Sequence, residues 1–265
     1  MIKDITLGQY YPVESLVHRL EARSKVLGVL AYLVGLFVVN NFWGFVIAAV
    51  AVGTVIKLSG VPFSYMMRGL KAILLILLFT MVLNVFMMDG TILWQWKFLK
   101  ITYEGLYRAA FMGIRLVLLI IGTSLLTFCT KPTELTDGLE KLLSPFARVG
   151  LPAHEIALMM TIALRFIPVL MDEADKIMKA QQSRGADFES GNIFQRAKSL
   201  IPIIVPLFVS SFRIAGDLAL AMEARCYRGG NGRTKLNESR FAKRDAVWGI
   251  VLMVFLCALF ATRYI

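Results

Sequence analysis

The chain has 265 residues, of which 57% are hydrophobic and only 18% are charged. Soluble domains are about 45–50% apolar and about 25% charged, so this composition excludes an ordinary soluble protein and predicts an integral membrane protein. The formal net charge of +11 is explained by retention of Lys and Arg in cytoplasmic loops, and nucleic acid is not expected as a partner. The cysteines Cys129, Cys226 and Cys257 form no C-x-x-C pair and are predicted to be packing residues.

The amino-terminal part predicts a chain that begins in the cytoplasm. Its first 25 residues are rich in charge and lack the compact apolar segment of a cleavable signal. The apolar segment 26–58 that follows is too long for one ordinary span, and it contains Asn40-Asn41 close to Trp43. Because an Asn pair beside a Trp is typical of a turn at a membrane interface, we expect two short spans here, with boundaries left open.

Three further apolar segments, 66–88, 106–129 and 246–261, each come near the ~20 residues that cross a bilayer. With five spans, the 17 Lys and Arg of 131–244 lie in the cytoplasm, whereas a single span in 26–58 would put them outside. The positive-inside rule therefore favours five spans, with the 89–104 loop and the carboxy terminus outside.

The expected fold is an all-α integral membrane protein with about five transmembrane helices, a short helix and two long helices on the cytoplasmic side. We predict a membrane region of four spans over 1–130, a cytoplasmic-side region over 131–244 and a carboxy-terminal transmembrane helix over 245–265.

The cytoplasmic-side region repeats one design twice. After a short capped helix over 133–143, residues 154–183 contain no glycine and one proline, Pro168, which predicts a helix ~45 Å long. After a break over 185–191, residues 192–228 repeat the pattern, with Pro202 and Pro206 near the start. Helix stops are expected at Gly185 for the first helix and at Gly229-Gly230 for the second.

Each long helix ends in a short arginine motif, Ser183-Arg184-Gly185 in the first and Ala224-Arg225-Cys226 in the second. For a single helix, an end arginine is also explained by the helix macrodipole and by snorkelling. The duplication favours a different hypothesis, because small neighbours admit a close approach and a guanidinium offers five rigid donors. Two such tips suit docking onto a partner with two similar grooves.

The stretches "RFIPVLMDEADKIMKAQQSRGADF" and "AMEARCYRGGNGRTKL" resemble the T component of energy-coupling factor transporters, which are ATP-driven importers. The resemblance implies two long coupling helices, each ending in an Ala-Arg-Gly-type motif that docks on one of two ABC ATPase subunits. Arg184 and Arg225 would then be the arginines that contact the ATPases, within the motifs quoted above. Two residues depart from the family's pattern: Ser183 replaces alanine, and Cys226 replaces a glycine whose left-handed backbone angles cysteine adopts less readily.

The resemblance further implies a non-enzymatic subunit that binds no cofactor or metal, since ATP and Mg bind to the partner ATPases. The apolar faces of 156–171 and 201–222 would contact a substrate-binding membrane subunit, and the chain would also contact membrane lipid. The complex would take up vitamins or other micronutrients. The predicted contacts with that subunit are Met159, Met160, Leu164, Pro168, Pro202 and Pro206.

Two alternative functions are less well supported by the sequence. A self-sufficient permease is disfavoured because the spans contain few ionisable residues, Arg115 being the main one. A lipid-modifying enzyme would use Asp172, Glu173 and Asp175 with a divalent metal. The chain, however, has only two histidines, no H-E-x-x-H and no phosphate-binding G-x-x-x-x-G-K-[ST], so these acids favour a solvated helix face.

Overall fold

The computed structural model describes residues 10–87, 90–96, 99–188, 192–229 and 241–262. This part of the chain is almost entirely helical and divides into two units. The described residues 10–139 and 241–262 form the bundle unit, and 140–229 form the arm unit. Each unit is described by itself.

The bundle unit consists of apolar helices whose ends follow the turn residues of the sequence. Its helices are α1 (Ala22–Val38), α2 (Phe42–Ser59), α3 (Phe63–Met87), α4 (Tyr103–Cys129), most of α5 (Pro132–Leu143), and α9 (Lys243–Ala261). Val39 and Asn41 are extended between α1 and α2, and the Asn41 amide donates to the Thr262 carbonyl at 2.9 Å. The predicted break of segment 26–58 at the Asn pair is therefore confirmed.

Glycines allow the bundle helices to approach closely. A Cβ added at Gly28 of α1 would lie 2.9 Å from the indole nitrogen of Trp248 in α9. At Gly122 of α4 the space of a side chain is already occupied by the ring of Tyr32, whose hydroxyl donates to the Leu118 carbonyl at 2.8 Å. The bundle core thus depends on small residues at helix contacts, as is usual where helices associate in lipid.

A polar cluster ties the start of α1 to α4 and α9. Lys25 is 4% exposed, and its ammonium donates to the carbonyls of Cys129 at 2.8 Å and His18 at 2.9 Å. The buried carboxylate of Asp245 accepts the Glu21 N–H and, within its own helix start, the Ala242 N–H, both at 2.9 Å. Burial of these groups is compensated because each makes charge-assisted hydrogen bonds.

His18 is fixed by two hydrogen bonds before α1 begins. Its Nε2 lies 3.0 Å from the Tyr11 carbonyl and its Nδ1 lies 2.7 Å from the Ser15 hydroxyl. Because a carbonyl only accepts, Nε2 carries the proton and Nδ1 accepts from Ser15 in the neutral ring. Partial burial lowers the pKa of His18 below its ordinary value, although the Tyr11 hydrogen bond opposes the shift.

The connection predicted between two spans over 89–104 contains a pair of strands. Strand β1 (Ile92–Trp96) pairs antiparallel with β2 (Leu99–Thr102), with Trp96 opposite Leu99 and an irregularity between Ile92 and Trp94. Sequence analysis did not predict this strand pairing, which satisfies backbone N–H and C=O groups within the connection.

The arm unit contains the two long helices. Its elements are a 3₁₀ segment (Ser144–Val149), α6 (Ala153–Ser183), α7 (Ile193–Ser199) and α8 (Ile201–Ala224). The first long helix is confirmed almost to the residue. The second was wrong as one continuous helix, since it is interrupted at Leu200, where Pro202 lacks the N–H that would bond to the preceding turn.

Five helices of the described chain are long and apolar enough to cross a membrane, which agrees with the predicted class. They are α2, α4, α6, the α7–α8 stretch Phe194–Ala224, and α9. This set differs from the predicted spans because α1 has only 17 residues and α3 contributes a shorter apolar stretch, Ile73–Phe86. By length and composition the two long arm helices are as capable of entering lipid as the predicted spans.

Candidate functional site: two arginine-bearing helix ends

The first arm helix ends in a Schellman cap centred on its arginine motif. Arg184 closes α6 with φ −91° and ψ 7°, and Gly185 turns to a left-handed φ of 88°. The Gly185 N–H donates to the Gln182 carbonyl at 2.9 Å and the Ala186 N–H donates to the Gln181 carbonyl at 3.0 Å. These two bonds satisfy the terminal carbonyls of the helix and fix the direction in which the chain leaves it.

The second arm helix ends in the same cap. Arg225 closes α8 with φ −92° and ψ 12°, the Cys226 N–H donates to Glu223 at 2.8 Å, and the Tyr227 N–H donates to Met222 at 3.0 Å. Cys226 takes the left-handed position with φ 57°, and no other non-glycine in the described residues has a positive φ. The expected stop at Gly229-Gly230 was wrong: α8 ends at Ala224 with Arg225 as its cap, and Cys226 takes the left-handed position despite the steric cost of its Cβ.

The two arm helices run antiparallel, so their arginine ends point in opposite directions. The Gln181 amide reaches the Pro202 carbonyl at 3.4 Å, and the Ser210 hydroxyl reaches Glu173 at 3.4 Å. At the other end of the pair, the Tyr227 hydroxyl lies 3.4 Å from Nε2 of His154. Arg225 therefore lies beside the start of α6, about 26 residues and about 40 Å along that helix from Arg184.

Both arginines are available to a partner. Arg184 and Arg225 are exposed, and no carboxylate of the described residues lies within salt-bridge distance of either guanidinium. The flanking Ser183, Gly185, Ala224 and Cys226 are exposed too, and the Ser183 hydroxyl donates back to its own helix, to Lys179, at 3.0 Å. Each tip thus presents one free guanidinium among small residues.

The residues predicted to contact a substrate-binding subunit do not form one cluster. Met159, which is exposed, Met160 and Leu164 lie in the first half of α6, towards the Arg225 end. Pro202 and Pro206 lie at the start of α8, towards the Arg184 end, and exposed Pro168 lies between the two groups. The set is spread over about 30 Å of the helix pair, so a partner touching all of it must lie along the pair.

The histidine of the arm unit is a packing residue of this helix pair. Nδ1 of His154 lies 2.9 Å from the Glu140 carboxylate while its other nitrogen faces Tyr227. The sequence alone could not show these contacts, because both partners are distant in sequence.

The acidic stretch considered for a metal enzyme serves helix packing and a local ion pair. Glu173 accepts from Ser210 of α8 and lies 3.7 Å from the ammonium of Lys176. Within the described residues, no three His, Cys, Asp or Glu side chains lie close enough together to hold a metal ion.

Comparison with known proteins bears on the whole chain. The family model described as "CbiQ: Cobalt transport protein" matches residues 13–236. A protein of Clostridium kluyveri is 56% identical over 265 residues, covering 99% of this chain and 98% of its own length. A Ruminiclostridium cellulolyticum protein is 49% identical, covering 100% and 99%, and a Bacillus subtilis protein is 45% identical, covering 99% and 100%.

All three relatives are named energy-coupling factor transporter transmembrane protein EcfT. The resemblance drawn from the two arginine motifs is thereby confirmed, and it extends over nearly the entire chain. On these grounds the chain belongs to the EcfT family, the transmembrane components of energy-coupling factor transporters.

Proposed function

We propose that this chain is a coupling subunit, which carries ATP-driven motion from two ABC ATPase subunits to a substrate-binding membrane subunit. The observation that supports the proposal best is the identical cap geometry at Arg184 and Arg225. A cap that recurs at both ends of a helix pair, once at the cost of a left-handed cysteine, fits a requirement to present two arginines in the same way. Backbone strain of this kind is typically retained at functional positions.

The distance between the tips favours two partners over one. At about 40 Å apart and facing opposite ways, the two arginines reach separate grooves, one on each ATPase. Each guanidinium would bind carboxylates or carbonyls in its groove. The two arm helices between the tips would then transmit a displacement of the ATPases as a rigid body. The chain itself would need neither a catalytic residue nor a cofactor, since ATP and Mg bind to the ATPases.

The antiparallel arrangement also constrains how the arms meet the membrane. ATP is available in the cytoplasm, so both tips must lie on that face, whereas an arm pair crossing the bilayer would place Arg184 and Arg225 on opposite faces. Under the proposal the arm pair therefore lies along the membrane plane. The five predicted spans separately place the amino terminus in the cytoplasm and the carboxy terminus outside.

The apolar sides of the arms supply the surface for the substrate-binding subunit. Large apolar side chains on α8 remain exposed, among them Phe208, Val209, Phe212 and Leu220. Together with Met159, which is 60% exposed and chemically adaptable, they form a surface suited to an apolar membrane partner. The proposed cargo is a vitamin or another micronutrient, and the choice among cargoes belongs to that partner.

Charge reversal at the tips tests the proposal. We expect the double variant Arg184→Glu, Arg225→Glu to lose the ATPases on co-purification from its native membrane and to lose ATP-dependent uptake. The double variant Lys176→Glu, Lys179→Glu makes the same total charge change at two exposed positions of α6 and should retain both. ATPases bound normally by the double variant, with normal uptake, would falsify the coupling role.

Labelling tests the orientation separately. Two variants are compared in a chain with Cys257→Ala, because Cys257 is exposed as well: one keeps the exposed Cys226, and the other combines Cys226→Ala with Ser183→Cys, which moves the thiol to the first tip. A membrane-impermeant maleimide should label both thiols in inside-out vesicles and neither in right-side-out vesicles. Labelling from opposite faces would show that the arms cross the bilayer and would overturn the proposed arrangement.

A further inference from the structure

A second polar site lies in the bundle unit, far along the sequence from the arginine tips. It is a cavity of about 420 Å³ whose wall includes two arginines, Arg108 and Arg115, and two asparagines, Asn40 and Asn84. The aromatic ring of Tyr107 also contributes to the wall. A wall that combines two cations with amide donors in an otherwise apolar helical bundle has no role in the coupling function proposed above.

The lining residues converge at one end of the bundle helices. Asn40 lies in the turn between α1 and α2, Asn84 lies in the last turn of α3, and Arg108 lies in the second turn of α4. Because helices that end together in a membrane protein usually end near the lipid headgroups, the cavity is placed at the depth where polar and apolar lipid parts meet. Arg115 starts two turns deeper in α4 and extends its side chain towards the same end, to Val39.

Arg115 is held in place by the protein but is not neutralised by it. One terminal nitrogen donates to the Val39 carbonyl at 2.6 Å, and the guanidinium lies 5.0 Å from the ring centre of Phe111 and 5.8 Å from those of Phe37 and Phe45. Its Nε is buried and has no hydrogen-bond partner in the structure. A guanidinium held by three rings in an apolar bundle, with no carboxylate among the described residues to neutralise it, is a cation that a bound anion in the cavity would compensate.

The second arginine adds charge without an internal partner. Arg108 is exposed, and no carboxylate of the described residues lies within salt-bridge distance of Arg108 or Arg115. The Asn84 amide uses one N–H on the Thr80 carbonyl at 2.8 Å, which leaves it a second N–H to donate. Guanidinium and amide donors without a facing carboxylate match the oxygens of a phosphate group.

We propose that this cavity binds the phosphate group of a membrane phospholipid. The source is a lipid because the surface beside the cavity is apolar and exposed. Met112 and Tyr107, which both line the cavity, are 45% and 43% exposed. Such side chains contact acyl chains once the phosphate is seated, whereas a free inorganic phosphate leaves them without a partner.

Native mass spectrometry of the purified full-length chain tests this proposal with phosphatidylglycerol as the probe. We expect the Arg108→Gln, Arg115→Gln double variant to bind phosphatidylglycerol at least about tenfold more weakly than the unmodified chain, because two charge-assisted contacts are lost. Arg19→Gln removes the same kind of charge from an exposed ion pair with Glu14 outside the cavity and should leave binding unchanged. Arg108→Gln alone keeps the proposal testable if loss of Arg115 disturbs folding, since Arg108 is exposed and should weaken binding by itself.

Competition identifies the source of the phosphate. Inorganic phosphate at millimolar concentration should not displace phosphatidylglycerol; displacement would mean that the cavity binds a soluble anion and would overturn the lipid assignment. Equal lipid binding by the unmodified chain and by Arg108→Gln would overturn the site itself. These outcomes are independent of the coupling proposal, because neither readout involves an ATPase or uptake.

Discussion

The left-handed cysteine at the second arm tip makes a quantitative prediction. Cys226 has φ 57° where the equivalent position of the first tip is Gly185 with φ 88°. We predict that Cys226→Gly stabilises the cap of α8 and that Gly185→Ala destabilises the cap of α6. A Cβ added at Gly185 meets no atom within 4 Å, so the second change isolates the backbone cost from any steric clash with neighbours.

The magnitude follows from two opposing free energies. A left-handed conformation costs an L-residue roughly 1–2 kcal/mol. Glycine loses about 0.5–1 kcal/mol more conformational entropy than alanine on ordering, which offsets part of that gain. The net stabilisation of the cap by Cys226→Gly is therefore about 0.7 kcal/mol, which is about a threefold change in the local opening equilibrium.

Hydrogen exchange of the cap amides measures this change directly. In Cys226→Gly, the N–H groups of residues 226 and 227, which donate to Glu223 and Met222, should exchange about threefold more slowly. Cys226→Ala retains the Cβ and should exchange like the unmodified chain, which separates the backbone effect from loss of the thiol. Faster exchange in Cys226→Gly, or an equal slowing in Cys226→Ala, would refute the assignment of strain to this residue.

Three further predictions concern the bundle unit. The fold lowers the pKa of His18, so near the ordinary histidine pKa of about 6.5 the unfolded chain binds more protons than the folded chain, and stability should fall as the pH drops through 6.5. The thermal midpoint should therefore fall less between pH 7.5 and 5.5 in His18→Gln than in the unmodified chain. Equal falls in the two chains would contradict this. Gly122→Ala should lower the free energy of unfolding by about 1–3 kcal/mol through overpacking against Tyr32, which a lower thermal midpoint would show. Gly249→Ala, with no atom within 4 Å of the added Cβ, should leave the midpoint unchanged. Asp245→Ala should cost about 2–3 kcal/mol, because buried donors lose their acceptor, and an unchanged midpoint would show that water replaces the carboxylate.

Local sequence signals predicted the helices well where one physical cause dominated. Segment 154–183 contains no glycine and is followed by Gly185, so its helix could be bounded from the sequence. The turn at Asn40-Asn41 was likewise predictable, because polar turn residues interrupt an apolar run. Gly185 likewise placed Arg184 at a helix end.

Features that depend on partners distant in sequence could not be predicted. Pro206 has no N–H to donate to the carbonyl of Pro202, four residues earlier in the helix. Whether Pro206 breaks the helix or only bends it therefore depends on which other donor reaches that carbonyl. In the structure that carbonyl faces Gln181 of the other arm, 21 residues away. The opposite directions of the two tips, and the gathering of Arg115 with Asn40 and Asn84, likewise arise from packing between helices.

The sequence resemblance and the geometry contribute different information at the second tip. The resemblance marks Cys226 as a departure from glycine, and from residue preferences alone the helix was expected to continue to Gly229-Gly230. The backbone nevertheless adopts the left-handed angles at the family's position. The hydrogen bonds of the cap outweigh the preference of a single side chain, which propensity rules treat residue by residue.

The contacts between α1 and α9 have a consequence for the order in which the protein is made. Gly28 packs against Trp248, Asp245 receives the Glu21 N–H, and the Asn41 amide reaches Thr262. Because α9 is the last of the described helices to be synthesised, α1 remains without this partner while more than 200 residues are added to the chain. A chain that stops before α9 would therefore leave this face of α1 without its packing partner.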